Sequence, residues 1–222
     1  MDESTLSECA KKEIIKGISN AWGYDVNLKT KADEELKEVR LGDVKFGEVV
    51  EICQIPFIVL VVRKKEVYCI TKNLIDTGRF DKETNNFHRA EILDCQLKTF
   101  LLTLMHRGLE KEKDILPFPV DLTSDDGRGN YRMFPYISKY GYHFINLMTA
   151  EQYRYCSRML EDYPIDTDWW LATAESLDTK GVKAITPQGI ITTKECWEKA
   201  GIRPVMLFST DIIVKTKKEI KK

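Results

Sequence analysis

Two tryptophans stand side by side in "DWWLATAE", residues 168 to 175, and this pair constrains the fold more than any other feature. Neighbouring side chains on a strand point to opposite faces, so two adjacent indoles cannot both fill a one-sided core. Either one waits for a partner or the strand is covered on both faces. A strand covered on one side by an N-terminal sheet or a helix and on the other by "YISKYGYHF" (136–144) would bury both indoles, each needing a partner for its N–H.

The remaining composition sets the scale. With 222 residues and 43 % hydrophobic content, the chain can bury one sizeable core, which suggests one domain plus extensions. Lys and Arg number 34 against 35 Asp and Glu. That balance provides no global field to recruit nucleic acid or an anionic membrane surface, so neither is expected as a partner. The basic end "KTKKEIKK" reads as a solvated tail. The start is acidic where a secretory leader would be basic, and the apolar run "IPFIVLVV" (55–62) is far short of the roughly 20 residues that span a bilayer. A cytoplasmic protein is expected. Cysteines fall at 9, 53, 69, 95, 156 and 196 without a C-x-x-C pair, which favours reduced thiols packed as small apolar groups over a disulfide framework or a zinc site. No cofactor or metal is expected.

Along the chain, Leu6, Ala10, Ile14, Ile15 and Ile18 recur at helical spacing behind Ser4 or Thr5, an amphipathic N-terminal helix whose polar connector runs to residue 38. The main domain is expected over 39–214 and a basic tail over 215–222. "KFGEVVEICQI", "PFIVLVVRKK" and "EVYCITKNLI" read as three strands of a meander, with the non-alternating "FIVLVV" central and covered on both sides. Ile92, Leu93, Leu97, Phe100, Leu101, Leu104 and Leu109 follow the rhythm of a core-facing helix. Residues 113–142 are rich in Gly, Pro and polar groups, and their Tyr and Phe residues argue for a folded loop lying on the body. "FINLMTAEQYRYCSRMLEDY" reads as a strand feeding a helix, with Thr149 and Gln152 at capping-box spacing. Then "DWWLATA", "GVKAIT", "IITT" and "RPVMLFSTDIIV" are short strands between turns. The expected class is α+β: a mixed, mainly antiparallel sheet with two core helices, preceded by the N-terminal helix.

Catalytic motifs do not stand out. "DLTSDDGRGN" (121–130) fails EF-hand spacing, with Asp126 where Gly is required and Arg132 where Glu is required, and reads as a turn-rich surface loop. His88, His106 and His143 lie far apart without partner motifs, and neither a nucleophile elbow nor a phosphate-binding glycine loop is found. No catalytic residue is assigned, although paired carboxylates carry no spacing signature.

The stretch from Asp168 to Phe208 does resemble something specific. Trp169, Trp170 and Leu171, then Ala184 to Gly189, then Gly201, Ile202, Arg203 and Pro204 are similar to the pattern WWLRS, V-x-x-x-G, GVRPAL of an uncharacterised family of Firmicutes, their phages and mobile elements. Upstream, "LGDVKFGEV" is similar to that family's G-D-x-x-x-F-G and "FINLMTAEQY" to its LLT-x-E-E-Y helix entry, so order and spacing fit from about 39 to 214. The pattern in turn resembles the C-type-lectin-like and sulfatase-modifying fold, whose Trp strand and G-[FV]-R strand bracket a ligand-binding surface. Ala172 and Thr173 replace the Arg of WWLRS, and the calcium-lectin triplets are missing.

What the resemblance implies is a non-enzymatic recognition domain of a phage or mobile element, binding a protein partner, in the cytoplasm or on an assembled particle. The expected working surface is Glu175, Ser176, Asp178, Lys180, Thr192, Lys194, Glu195 and Trp197, supported by Trp169, Trp170, Arg203 and Pro204 as structural motif. For Trp197 a second reading stays open, a loop tryptophan folded back onto the core. Other roles also stay open: an inhibitor of a host defence enzyme, a particle component, or an oligomer. A formylglycine-generating-type oxidase would need a cysteine pair near the C-terminal end, which Cys156 and Cys196 do not match in spacing.

Overall fold

"IPFIVLVV" becomes the centre of a sheet because its neighbours cover it from both sides: Phe57, Ile58, Val59 and Leu60 are all buried. The computed structural model describes residues 36–85, 90–118, 143–175 and 180–217, all within the unit Glu35–Lys222. The expected N-terminal helix, Cys9, His88 and the "DLTSDDGRGN" and "YISKYGYHF" loop up to Tyr142 lie outside the described residues.

A first, eight-stranded sheet is antiparallel throughout. Its strands are β1 (Leu36–Arg40), β2 (Val49–Ile52), β3 (Ile55–Val62), β4 (Glu66–Thr71), β6 (Ile115–Leu116), β7 (Asn146–Leu147), β12 (Pro204–Ser209) and β13 (Ile213–Lys217), in the order β1-β13-β2-β3-β4-β12-β6 with β7 also on β12. The second sheet has β5 (Asp76–Arg79), β8 (Trp169–Ala174), β9 (Gly181–Ile185), β10 (Ile191–Glu195) and β11 (Lys199–Ile202), in the order β10-β9-β8-β11-β5. In this sheet, among the described residues, β8 and β11 alone run parallel, meeting at Trp169 and Gly201. Two helices complete the α+β architecture, α1 (Glu91–His106) and α2 (Ala150–Leu160).

Local chemistry explains the elements. The apolar stripe of α1 buries Leu93, Leu97, Phe100, Leu101 and Leu104. Helix α2 starts on the expected capping box: the Thr149 hydroxyl accepts from the Gln152 N–H at 3.2 Å and the Gln152 side chain accepts from the Thr149 N–H at 2.9 Å. Strands β2 and β3 join through Cys53 and Gln54, both at positive φ (51° and 63°), in a tight two-residue hairpin turn.

Several boundaries differ from the sequence reading. The β1–β13 pair extends the sheet to Leu36 and Lys217, past the expected edges at 39 and 214. "KFGEVVEICQI" becomes a strand only from Val49, because Gly47 takes φ 82° in a turn whose N–H donates to Val59. "RPVMLFSTDIIV" is two strands, β12 and β13, and within the expected loop Ile115 and Leu116 pair with β12.

Both indoles are buried, Trp169 at 2 % and Trp170 at 0 % exposure. Trp170 donates its N–H to the Gly78 carbonyl of β5 at 2.9 Å and meets Phe80 edge-on. Trp169 takes the other face, edge-on to Tyr153 of α2 and under Arg203. Among the described residues the cover on that face is α2 and the Arg203 corner.

Candidate functional site

The β9–β10 hairpin has two ends, and each presents a distinct surface. At the open end lie Lys180, Glu195 and Trp197 of the residues expected from the sequence, while Thr192 pairs with Ala184 nearer the tip. Trp197 sits in the turn between β10 and β11 and is 40 % exposed, with the Lys180 ammonium 5.1 Å over its ring. It is thus neither folded into the core nor fully free. Its turn is held rigidly: Cys196 N–H donates to the Lys180 carbonyl at 2.8 Å, Asp81 N–H to the Cys196 carbonyl at 3.0 Å, and Glu198 N–H to the Glu195 carbonyl at 2.8 Å.

Behind this end, alternation along β10 divides the expected residues between two faces. Thr192 and Lys194 share one; Lys194 bonds Asp168 at 3.0 Å and approaches Glu198 at 3.3 Å. The Asp168 hydrogen bond raises the Lys194 ammonium above its usual range, and Glu198 is lowered first by the Glu195 N–H it accepts and then by Lys194. On the other face Glu175 is ion-paired to Lys183, and Thr193, bonded to both, sits opposite Lys183 in register. Glu195 has one carboxylate oxygen buried without a hydrogen-bond partner. Ser176 and Asp178 lie outside the described residues. The structure therefore brings Lys180 and Trp197 together and separates Thr192 and Lys194 from Glu175. Lys183 was missed, because only strand register shows that a lysine in an apolar run finds a carboxylate.

At the tip of the hairpin the chain makes a corner. Arg203 is the single residue between β11 and β12, where the backbone passes from the second sheet to the first. It is 1 % exposed, donating Nε–H to the Thr71 carbonyl at 2.9 Å and Nη2–H to the Lys72 carbonyl at 3.0 Å, with its guanidinium 5.4 Å over Trp169. Burial lowers its pKa to about 10. Pro204, which has no N–H to give, opens β12. Beside this corner is a cavity of about 170 Å³ between α2 and the 186–189 turn, whose wall is closed by the Tyr153 hydroxyl donating to the Gly189 carbonyl at 2.9 Å. Arg203 was expected as a structural residue; the described bonds of its guanidinium go to the Thr71 and Lys72 carbonyls.

A third feature is a groove of about 490 Å³ between β3, β4, β12 and α2, lined by Tyr68, Phe118 and the 79 % exposed Tyr155. Tyr68 donates to the Gln152 carboxamide at 3.1 Å.

Cys156 and Cys196, the two thiols weighed for an oxidase, show no nucleophilic activation. Cys196 is fully buried, and burial first, then Asp81 and Glu195, raises its pKa; burial pushes Cys156 up to about 11. An activated cysteine requires the opposite shift. Burial also lowers the imidazole pKa of His143, which lies beside Asp94 and Lys98. Among the described residues, none of the clusters of His, Cys, Asp and Glu could hold a metal ion, and none of the helices is long and apolar enough to cross a membrane. Comparison with protein-family models, with curated proteins and with solved structures finds no match.

Proposed function

We propose that this chain is a recognition domain that acts by binding a protein partner through the open end of the β9–β10 hairpin. The observation that carries the reading is Trp197: a large aromatic left 40 % exposed on a turn held by backbone hydrogen bonds and topped by Lys180. A tryptophan held in place before binding loses little conformational freedom on complex formation, the quality that makes it an effective interface anchor. Among the described residues strand β10 is an edge of its sheet, with Lys194 toward the Trp197 end and Thr192 toward the tip. The buried Trp169 and Trp170 are the core of the sheet that carries the hairpin. Two mainly antiparallel sheets with two helices also suit the C-type-lectin-like fold that the WWL and GIRP motifs resemble, and with it a phage or mobile-element origin, in the cytoplasm or on a particle.

The test is capture by the full chain and by a Trp197→Ala variant from a lysate of the host, with bound proteins identified by mass spectrometry. A single abundant protein retained by wild type and lost by the variant supports the reading. Equal retention by both would remove Trp197 from the interface, and capture of only the chain itself would turn the reading toward self-assembly.

A further inference from the structure

We propose that the cavity beside Arg203 binds a carboxylate group, at a site independent of the Trp197 face. A guanidinium carries five N–H donors, and here protein acceptors engage two of them, the carbonyls of Thr71 and Lys72. No carboxylate among the described residues pairs with it, although it is 1 % exposed. Burying a charge without a counter-charge is costly, and carbonyl dipoles and the face of Trp169 offset only part of that cost. Glu161 lines the same cavity but is exposed and forms no ion pair with Arg203. An incoming carboxylate would supply the missing charge, and the guanidinium fork matches it in geometry.

The cavity limits what can enter. About 170 Å³ lies below the roughly 300–1,000 Å³ of drug-sized sites and equals about five or six water volumes, so it admits a headgroup on a short stem. Ile165, Ile185 and Pro187 on its wall suit an apolar stem. Ile190, 62 % exposed and next to Gly189, extends that wall outward. Among the described lining residues Arg203 is the one cation, and a single guanidinium balances the single charge of a carboxylate, whereas a phosphate dianion would bring a second charge.

Calorimetric titration of the full chain decides the matter, using propionate, a short peptide with a free C-terminal carboxylate, the same peptide amidated, and inorganic phosphate. Saturable binding of propionate or of the free-acid peptide in the millimolar range or tighter, and none of the amidated peptide, is expected. Binding of both at equal strength assigns the site to small acids; a much tighter peptide assigns it to a protein terminus. Arg203→Met should weaken either by at least about tenfold, a loss of about 1.4 kcal/mol. Gln188→Glu, which places a negative charge on the exposed rim without touching Arg203, should weaken it too and keeps the test decisive if the arginine variant does not fold. Trp197→Ala should leave this binding unchanged, so failure here and failure at the Trp197 face are told apart. No saturable response to carboxylates, binding of phosphate alone, or carboxylate binding unaltered in both cavity variants would overturn the proposal.

Discussion

Replacing Trp170 by alanine asks whether the second of the paired indoles is structural in the way its surroundings imply. Trp170 is fully buried, meets Phe80 edge-on, and its N–H is bonded to the Gly78 carbonyl at 2.9 Å. Truncating a buried tryptophan costs about 3–5 kcal/mol through lost transfer energy and the cavity left behind. Trp170→Phe keeps most of the ring but leaves the Gly78 carbonyl without its donor, for about 1–3 kcal/mol. Trp197 provides the comparison. A tryptophan buries about 150–250 Å² when fully covered, and at 40 % exposure the remaining contact is worth about 2–4 kcal/mol as an upper bound at ~25 cal/mol per Å². Part of that cover is the flexible Lys180 stem, whose ordering costs entropy, so Trp197→Ala should lose about 1–2 kcal/mol. For a chain of this length each kcal/mol moves Tm by about 2–4 °C. Thermal melts followed by circular dichroism should therefore fall by about 6–20 °C for Trp170→Ala and by about 2–8 °C for Trp197→Ala. Equal losses would refute the distinction between floor and anchor. A Trp170→Ala loss below about 1 kcal/mol would refute the packing argument itself.

Thr149→Ala removes one half of the α2 capping box and should cost about 0.5–2 kcal/mol, read from urea midpoints. Cys53→Asn combined with Gln54→Gly places residues that tolerate positive φ in the β2–β3 turn and should stabilise by about 1 kcal/mol, raising Tm by about 2–4 °C. A disulfide reagent should label the exposed Cys95 at once, and Cys69 and Cys156 only on unfolding. Burial raises the Cys156 pKa to about 11, so the folded state keeps its proton above the pH at which the unfolded thiol ionises. That contribution is full below about pH 8.5 and is lost as pH rises toward 11, so chemical-denaturation midpoints should fall over that window, less steeply in Cys156→Ala.

How much of this was legible in the sequence depends on how local the determining chemistry is. Thr149 and Gln152 are three residues apart, and the box they form needs nothing else. The stripe of α1 and the continuous apolar run of β3 are similarly self-contained. By contrast "DTGR" has no strand signal, and only one of its residues is buried. It becomes β5 because "KAGI" of β11, far along the chain, pairs with it from Asp76↔Ile202 to Arg79↔Lys199. Lys183 stands within the strand "GVKAIT" without a sequence signal, and only the register places it opposite Thr193 and beside Glu175. The paired tryptophans were readable as two covered faces because alternation is a property of the strand itself. The identity of the covers was not, since Gly78 and Tyr153 arrive from different elements.

Arg203 shows the limit most sharply. "GIRP" marks a motif, but the carbonyls that hold the guanidinium come from Thr71 and Lys72, more than a hundred residues earlier. Nothing in the chain order reveals that its charge meets no carboxylate among the described residues. The fold also sets how the two proposed surfaces relate. Strand β8 begins at Trp169, paired with Ile185 at the tip of the β9–β10 hairpin, while Lys180 and Trp197 close its other end. Five-residue strands place these ends about 17 Å apart. Sites at that distance without shared partners contribute nearly additively. The double variant Trp197→Ala with Gln188→Glu should then lose stability by the sum of the single losses, and each binding activity should respond to its own substitution alone. A coupling energy well above about 0.5 kcal/mol would show instead that the hairpin transmits strain from one end to the other, making the Arg203 corner part of the same recognition surface.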